Sequence, residues 1–312
     1  MDEIPYRLMN KNERCLWIVG TFIDYGDMSL RELNARFLDY TLNYEGEEIQ
    51  PRTFDRDRRY IASTFQIDID FDPRLKKYHL VNPEEIQDNP IFKYLLGSIH
   101  VNNLSTLALR HKDKIMLQEI PTGVELLQVV LNAIDLGRTV CFDYTSYYAK
   151  GKIFTYEVIP CFVRMFEHRW YLVCEYLDHS QTRVLALERM RRLSIGEKQA
   201  TSSPHITLRQ FYQDCFGIIR DDKRPEEILL KVYQNQVDYV RSVPIPPSQE
   251  EVETGADYAV FRYYLRPSYD FIQHLLWHRE HMEVLRPVAL REEVRTLLLK
   301  MLEHYGMNDS SS

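Results

Sequence analysis

The sequence predicts a soluble α+β protein of several domains, and three observations support this. The chain has 312 residues, which is enough for two or three domains of roughly 100 to 200 residues each. Hydrophobic residues make up 45% and charged residues 27%, a balance typical of globular chains and not of disordered or fibrous ones. The hydrophobic pattern is helical near the N-terminus, strand-like in the middle and mixed toward the C-terminus.

The N-terminal pattern predicts a winged helix-turn-helix over residues 1–82. Apolar residues at helical spacing predict a first helix over residues 12–26. A capping box that begins at Ser29 predicts the start of a second helix, and a third begins at Pro51 or Arg52. The alternating runs IDIDFD and KYHLV predict a hairpin, or wing, after the third helix.

The rest of the chain divides into a connector and two domains. Residues 83–123 are mainly helical in pattern and form the connector, and another helix begins the central domain, residues 124–200. Four β-rich runs follow that helix, TVCFDYTS, IFTYEVIPCFVRMF, RWYLVCEYL and TRVLALERMRRLSI, and they predict a small antiparallel sheet or barrel. Residues 201–312 are predicted to alternate strand, helix, two strands, helix, strand and helix, as in an α+β domain.

Charge and composition exclude several classes of protein. A net charge of −7 argues against a protein that coats nucleic acid through its overall electrostatic field. A local basic stripe can still bind DNA. No apolar run approaches the ~18 residues of a membrane span, and the N-terminus lacks the pattern of a signal peptide. Five cysteines without a CxxC pair predict no disulfide framework. We therefore expect a cytoplasmic protein without a membrane partner.

The third helix carries the predicted DNA-binding residues. Arg52, Arg56 and Arg59 lie about one turn apart, away from the apolar face of the helix. Arginine pairs with guanine or phosphate in the major groove, and Thr53 can reach a phosphate or a thymine methyl group. The cations predicted to approach the DNA backbone from the wing are Arg74, Lys76 and Lys77.

The stripe formed by Arg52, Arg56 and Arg59 has an alternative interpretation as a charged helix face that contacts only solvent. Asp55 and Asp57 partly cancel its charge, and the turn over residues 42–50 is long and acidic, whereas the motif usually has a turn of about 3 or 4 residues. The wing strand also carries carboxylates, at Asp68, Asp70 and Asp72.

Several motifs together resemble one known family. RTFDRDRRYI resembles the DNA-binding domain of bacterial WYL-domain transcription regulators, and RWYL carries their namesake tripeptide, Trp170, Tyr171 and Leu172. FDYTS, TRVLALERM and MEVLRPVALREEVRTLLLKMLEHY follow the layout of the family. The resemblance implies a winged helix, an Sm/SH3-like barrel that carries the tripeptide, and a C-terminal extension of ferredoxin-like type. It also implies a bacterial protein that senses ligands, which in some members are single-stranded nucleic acids, through the barrel.

The strand period of two predicts a ligand-binding face on the barrel. Along RWYLVCE, the period places Trp170 and Leu172 in the core and leaves Arg169 beside Tyr171 on the opposite face. If the next strand pairs here, its arginines complete a positive, partly aromatic surface able to hold phosphates and stack a base. The candidate ligand-binding residues are Tyr144, Ser146, Arg169, Tyr171, Arg183 and Arg189. In the alternative, Arg183 and Arg189 cover apolar surface and pair with Glu175 or Glu188.

Catalytic and metal motifs are missing from the sequence. GxGxxG, GxxxxGK[ST], HExxH and GxSxG do not occur. His274 and His278 have a spacing that can hold zinc, but HLLWH lacks the catalytic glutamate and a cysteine ligand. We therefore expect neither an enzyme nor a metal or other cofactor.

Two functional hypotheses remain open. In the first, the protein is a homodimeric, ligand-responsive transcription regulator that binds a double-stranded DNA operator and senses a nucleotide or single-stranded nucleic acid. In the second, it is a nucleic-acid-binding accessory protein of a defence or DNA-processing system, and the N-terminal domain contacts a protein.

Overall fold

A computed structural model describes the greater part of the chain, namely residues 9–40, 43, 46–89, 91–94, 113–114, 123–203, 206–245 and 248–306. The chain divides into two compact units, Met1–Gln118 and Glu119–Ser312. Among the described residues, no helix combines the length and apolar character that crossing a membrane requires.

The first unit contains the predicted three helices and hairpin. Its elements are α1 (Lys11–Tyr25), α2 (Leu30–Leu38), α3 (Pro51–Phe65), β1 (Ile69–Asp72), β2 (Lys77–Leu80) and α4 (Pro83–Asp88). The capping box at Ser29 is confirmed, because Ser29 N donates to Glu32 Oε2 at 2.7 Å and Glu32 N donates to Ser29 Oγ at 3.2 Å. Apart from α4 and the helical residues 91–94, most of the predicted connector lies outside the described residues.

A buried asparagine fixes the chain just before α3. The Asn34 side chain on α2 donates to Ile49 O at 3.1 Å and accepts from Ile49 N at 2.9 Å. Both backbone groups of the buried Ile49 are therefore satisfied inside the core. The first turn of α3, which begins with Pro51, is held relative to α2 by this contact.

The second unit contains a helix followed by a five-stranded antiparallel sheet. Helix α5 (Val124–Asp135) precedes five strands, β3 (Arg138–Ser146), β4 (Lys152–Phe166), β5 (Arg169–Tyr176), β6 (Thr182–Ala186) and β7 (Met190–Gln199). They form a sheet with the order β6-β5-β4-β3-β7, which we call the barrel sheet after the predicted barrel. Strand β3 lies between β4 and β7 in the sheet. Helix α5 packs Val130 and Ala133 into the core of the sheet.

The fourth β-rich run is not one strand, contrary to the prediction. Strand β6 ends at Ala186, a 3-10 turn spans Leu187–Arg189, and β7 starts at Met190. Leu187 within the turn is fully buried. An alternating pattern continues through such a turn, so the sequence alone does not reveal the break.

The C-terminal part of the second unit forms another sheet, in the predicted order of elements. After α6 (Leu208–Tyr212), the order is β8 (Glu226–Tyr233), α7 (Gln236–Ser242), β9 (Glu250–Thr254), β10 (Tyr258–Leu265), α8 (Tyr269–Trp277), β11 (Met282–Arg286) and α9 (Val288–His304). The antiparallel sheet has the strand order β11-β8-β10-β9, and helices packed on one of its faces enclose an apolar core.

A buried carboxylate ties the segment after β7 to the barrel sheet. Glu175 on β5 accepts from Ser203 N at 2.7 Å and from Ser203 Oγ at 2.8 Å. His179 Nδ1 lies 3.2 Å from Ser203 Oγ and 3.4 Å from Glu175 Oε2. This is not a catalytic triad, because one ring nitrogen faces both partners, whereas in a triad the serine and the carboxylate contact opposite nitrogens.

Candidate functional site

The exposed face of α3 presents the predicted arginines. Arg52, Arg56 and Arg59 are exposed, while Phe54 and Ile61 on the other side of the helix are buried. Arg52 and Arg56 form no ion pair with another described residue, and Arg59 Nε donates to Asp55 O at 3.3 Å. Thr53 is half-buried. The two arginines nearest the start of the helix are therefore accessible to a ligand.

Asp57 does not neutralise this stripe, which corrects one expectation from the sequence. Its carboxylate is fully buried and accepts from Arg14 Nε on α1 at 2.6 Å and from Arg14 Nη2 at 3.0 Å. The ion pair joins α1 to α3 inside the first unit. Asp55 remains exposed and lies 3.7 Å from Arg58.

The wing cations differ in their surroundings. Arg74 and Lys76 are exposed in the turn between β1 and β2, where Asp72 Oδ1 accepts from Arg74 N at 2.7 Å and holds the turn. Lys77 Nζ lies 3.5 Å from Glu32 Oε1 and donates to Asp27 O at 3.3 Å. Lys77 is thus tethered to α2 and to the loop before it, whereas Arg74 and Lys76 project from the wing.

The predicted core face of β5 is confirmed. Leu172 and Cys174 are fully buried in the core of the barrel sheet, with Trp170 packed against them. Val173 on the opposite face packs with Ile206 and Phe211 instead.

Arg183 lies on the wrong face for the predicted ligand surface. In the register between β5 and β6, Cys174 is opposite Arg183 and Tyr171 is opposite Ala186. Directly opposed residues share a face of the sheet, so Arg183 shares the face of Cys174 and not that of Tyr171. Its Nε donates to Tyr176 OH at 3.3 Å. The period of two along a single strand does not give its register with the neighbouring strand, and the register decides which face Arg183 occupies.

Arg169, Tyr171 and Arg189 do come together, around Glu188. Arg169 Nη1 donates to Glu188 Oε1 at 3.0 Å, and Arg189 Nε lies 4.0 Å from the same oxygen. Burial raises the pKa of the Tyr171 phenol, while the positive charge of Arg169 acts in the opposite direction. The contact between Arg189 and Glu188 is the one that the alternative interpretation expects, whereas that interpretation does not include the ion pair of Arg169. Both contacts coexist with two of the predicted cations beside Tyr171.

Tyr147 belongs to this cluster and was missed by the sequence argument. The guanidinium carbon of Arg189 lies 4.0 Å from the centroid of the Tyr147 ring, within the range of a cation–π contact. Tyr147 is 62% exposed and lies at the tip of the β3–β4 hairpin. The run YYAKGK, with two tyrosines and two lysines around the turn, was the available signal.

Tyr144 and Ser146 have structural contacts in the described chain. Tyr144 is only 7% exposed within the barrel core, and its hydroxyl accepts from Ala186 N at 3.4 Å. The expectation that Tyr144 stacks on a base at the surface is therefore wrong for this arrangement. Ser146 Oγ accepts from Ala149 N at 3.3 Å in the hairpin turn.

Two side-chain polar atoms beside Arg169 and Tyr171 have no hydrogen-bond partner in the part of the chain that the structure describes. Glu188 Oε2 and Arg189 Nε are buried without one among the described residues. Buried polar atoms usually have partners, so those that lack one mark positions where a ligand or water can bind. We call Tyr147, Arg169, Tyr171, Glu188 and Arg189 the Glu188 cluster; it offers guanidinium donors and aromatic rings on one surface.

Comparison with known proteins identifies two domains in the second unit. Residues 125–195 match the profile of the WYL domain, and residues 224–302 match that of the WCX domain. The first range includes the barrel sheet, except for residues 196–199 of β7, and the Glu188 cluster, and the second includes the C-terminal sheet. No curated protein matches the sequence.

Two solved structures show limited similarity to the chain. Proteasome accessory factor B/C (PafBC) of Arthrobacter aurescens is 14% identical with a TM-score of 0.33, and the match covers 91% of this chain and 46% of that one. A CRISPR Cas-related protein is 16% identical with a TM-score of 0.36, covering 56% of this chain and 51% of that one. This chain thus spans about half the length of each structure. The profiles show that the chain contains a WYL domain and, after it, a WCX domain.

Proposed function

We propose that the protein is a ligand-responsive, DNA-binding transcription regulator. The observation that carries the proposal is the exposed arginine face of α3, in a unit of three helices and a hairpin that accompanies a WYL domain. The WYL domain is the proposed sensor, and the WCX domain couples it to DNA binding or joins two copies of the chain. The protein acts in the cytoplasm and catalyses no reaction itself.

In this proposal, the first unit is a winged helix-turn-helix and α3 reads the operator. Arg52 and Arg56 extend from the N-terminal half of the helix, which in such domains enters the major groove. Arg59 and Thr53 supply further contacts, and Arg74 and Lys76 on the wing reach the phosphate backbone. Burial of Asp57 favours DNA binding, because it removes one carboxylate from the surface that faces the phosphates.

The proposed effector is a nucleotide or a short single strand held by the Glu188 cluster. Arg169 and Arg189 can donate charge-assisted hydrogen bonds to phosphate oxygens, and Tyr147 and Tyr171 can contact a base. A phosphate that approaches Arg189 Nε would satisfy an atom that otherwise lacks a partner. The phosphate would also compete with Glu188 for the guanidinium groups of Arg169 and Arg189. Binding of the ligand would therefore break or weaken the contacts of these arginines with Glu188.

Selection of genomic DNA fragments, followed by mobility shift with and without effectors, tests the proposal. We expect a discrete double-stranded site whose affinity changes when a nucleotide or a short single-stranded oligonucleotide is added. The salt dependence of binding should report the phosphate contacts. Failure to recover any sequence-specific double-stranded site would refute the role as a regulator.

One observation favours the second candidate, an accessory protein that binds single strands for a defence or DNA-processing system. Glu47 and Glu48 are exposed just before α3, and Asp68 and Asp70 are exposed on or beside the wing strand. These carboxylates oppose a close approach of duplex phosphates. Preference for single strands over every duplex in the mobility shift, with loss of binding in barrel variants alone, would support this candidate.

A further inference from the structure

A pocket on the helical side of the C-terminal domain has an unusual lining. It has a volume of about 340 Å³ and is lined by Gln236 and Tyr239 of α7, Trp277 and His278 at the end of α8, and Arg279 and His281 of the following turn. No aspartate or glutamate lines it, although the chain has 46 acidic residues. This pocket, which we call the Trp277 pocket, lies within the WCX domain and apart from the Glu188 cluster.

Two aromatic side chains of the pocket are left in solvent. Trp277 is 80% exposed and Tyr239 is 68% exposed. Burial of a large aromatic side chain is strongly favourable. A molecule that covers the Trp277 ring would therefore bind with a favourable contribution to the free energy. Exposed tryptophan and tyrosine are the residues on which nucleic-acid bases stack most readily.

The polar part of the lining favours an anion. Arg279 is exposed and forms no ion pair with another described residue, and His278 and His281 bring two imidazoles to the same wall. Arg279 has a φ of 54°, a left-handed conformation that is unfavourable for a long side chain and is often found at functional sites. Glu280 is the acidic neighbour, 3.8 Å from His281 Nε2, but it does not line the pocket.

We propose that the Trp277 pocket binds a nucleotide unit, with the base against Trp277 and Tyr239 and the phosphate on Arg279. The combination of exposed aromatic rings, one unpaired guanidinium and no carboxylate suits a planar base that carries a phosphate. The volume is in the range of small-molecule sites, about 300 to 1,000 Å³. The shared chemistry is that of a free mononucleotide or of the phosphorylated end of a single strand. The proposal does not depend on the function proposed for the barrel.

Tryptophan fluorescence and calorimetry test the proposal on the full chain. The probes are AMP, adenosine, inorganic phosphate and a 5′-phosphorylated deoxyadenosine hexamer. We expect AMP to quench the emission of Trp277 in a saturable way and to bind about tenfold or more tightly than adenosine or phosphate. Tighter binding of the hexamer would identify the end of a single strand as the source, and equal or weaker binding would identify a free nucleotide.

Matched variants separate this site from the barrel and from general effects on folding. Trp277→Ala and Arg279→Gln should each weaken AMP binding by about tenfold. Tyr269→Ala, which removes a 64% exposed aromatic side chain of α8 outside the pocket, should not. The Arg169→Gln, Arg189→Gln double variant should keep AMP binding at this site. The proposal is overturned if AMP does not bind below millimolar concentration, or if its binding persists in both pocket variants and is lost in the barrel variant.

Discussion

At the scale of single residues, the pairing of Arg14 with Asp57 decides both stability and surface charge in the first unit. The Asp57 side chain is fully buried, and that of Arg14 is 18% exposed. The carboxylate raises the pKa of the guanidinium through its hydrogen bond, although burial acts against this. Asp57 is expected on the helix surface because its neighbours in the sequence are charged, but its position on α3 directs its side chain toward Arg14 of α1.

Removal of Asp57 should destabilise the first unit strongly. Asp57→Ala leaves Arg14 without its partner, and loss of one member of a buried pair costs about 3 to 5 kcal/mol; we expect about 3 because Arg14 is partly exposed. Urea unfolding followed through Trp17, in a background of Trp170→Phe and Trp277→Phe, measures the change. Asp55→Ala is the control, since this neighbour is exposed. Equal midpoints for the two variants would contradict the role of the pair.

His274 should make the stability of the second unit depend on pH. Burial, and then the charge of His278, lower the pKa of His274 to about 4, compared with roughly 6.5 in an unfolded chain. The unfolded state therefore takes up the proton first as the pH falls. The contribution of His274 is fully present above roughly pH 6.5 and is lost progressively as the pH falls toward 4.

Thermal unfolding at a series of pH values tests this expectation. His274→Phe should reduce the loss of stability between pH 7 and pH 4.5, because phenylalanine keeps a ring against Phe216, where the ring centroids are 4.6 Å apart, without a titrating nitrogen. His304→Gln, at the exposed end of α9, should leave the parent profile unchanged. A His274→Phe profile parallel to that of the parent would show that other groups cause the acid sensitivity.

At the scale of elements, α3 and the wing should contribute differently to DNA binding. Arg52→Ala or Arg56→Ala should cost about 1 to 3 kcal/mol of binding free energy if the residue contacts a base. Lys76→Ala should mainly reduce, by about 1, the slope of the logarithm of the binding constant against the logarithm of the salt concentration. Lys77→Ala should have less effect on the slope than Lys76→Ala, because Lys77 is tethered to Glu32. Mobility shifts at several salt concentrations measure both quantities.

The control for α3 is Arg209→Ala, which removes an exposed arginine of α6 in the other unit. All these variants should keep the parent circular dichroism spectrum, since the changed side chains are exposed or half-exposed. If the Arg52→Ala, Arg56→Ala double variant binds the selected operator as tightly as the parent, α3 does not read the DNA.

The register between β5 and β6 leads to a paired prediction for the barrel. Arg169→Ala with Arg189→Ala should abolish the effect of the effector on DNA binding while leaving binding without effector nearly unchanged. Arg183→Ala is the matched control, because Arg183 faces away from Tyr171. The measurement is the operator mobility shift with and without effector. Loss of the response in Arg183→Ala alone would place the ligand on the opposite face of the sheet.

Local patterns predicted the elements well, because caps and periodicity act over a few neighbouring residues. The capping box at Ser29, the helix that starts at Pro51 and the core face of Leu172 and Cys174 all follow from such patterns. The position of Arg183 depends on pairing between two strands, and that of Asp57 on packing between two helices. Neither can be read from one segment, since both are set by contacts between residues that are distant in the chain.

The end of β6 at Ala186 is another feature of the candidate site that local sequence patterns do not predict. A 3-10 turn of three residues places Glu188 and Arg189 beside Arg169 and Tyr171. The sequence suggested the right residue types for the Glu188 cluster, yet a continuous strand would have arranged them differently. Tyr147 joins the cluster only because the β3–β4 hairpin brings its tip to Arg189.

At the scale of the whole molecule, helix α9 leaves an apolar stripe exposed at the end of the described chain. Leu290 is its buried residue, and Val294 and Leu297 pack against the core of the C-terminal domain. On another side of the helix, Leu298 is 50% exposed, Leu302 43% and Tyr305 84%. At 3.6 residues per turn, these three side chains and Arg295 lie along one stripe. Such a stripe is typical of a helix that pairs with another helix.

We expect the proposed homodimer to use this stripe, with two copies of α9 antiparallel. Pairing centred near residue 300 would place Leu298 against Leu302 of the partner copy, and Arg295 over the ring of Tyr305, which combines apolar burial with a cation–π contact. Light scattering at micromolar concentration should give a dimer for the parent chain and a monomer for Leu298→Glu with Leu302→Glu. Lys300→Glu, which adds the same charge on the opposite side of α9, should remain dimeric. Because a dimer supplies two α3 helices to one operator, the monomeric variant should also lose most of its affinity for DNA. A monomeric parent, with and without DNA, would show that one chain alone binds the operator.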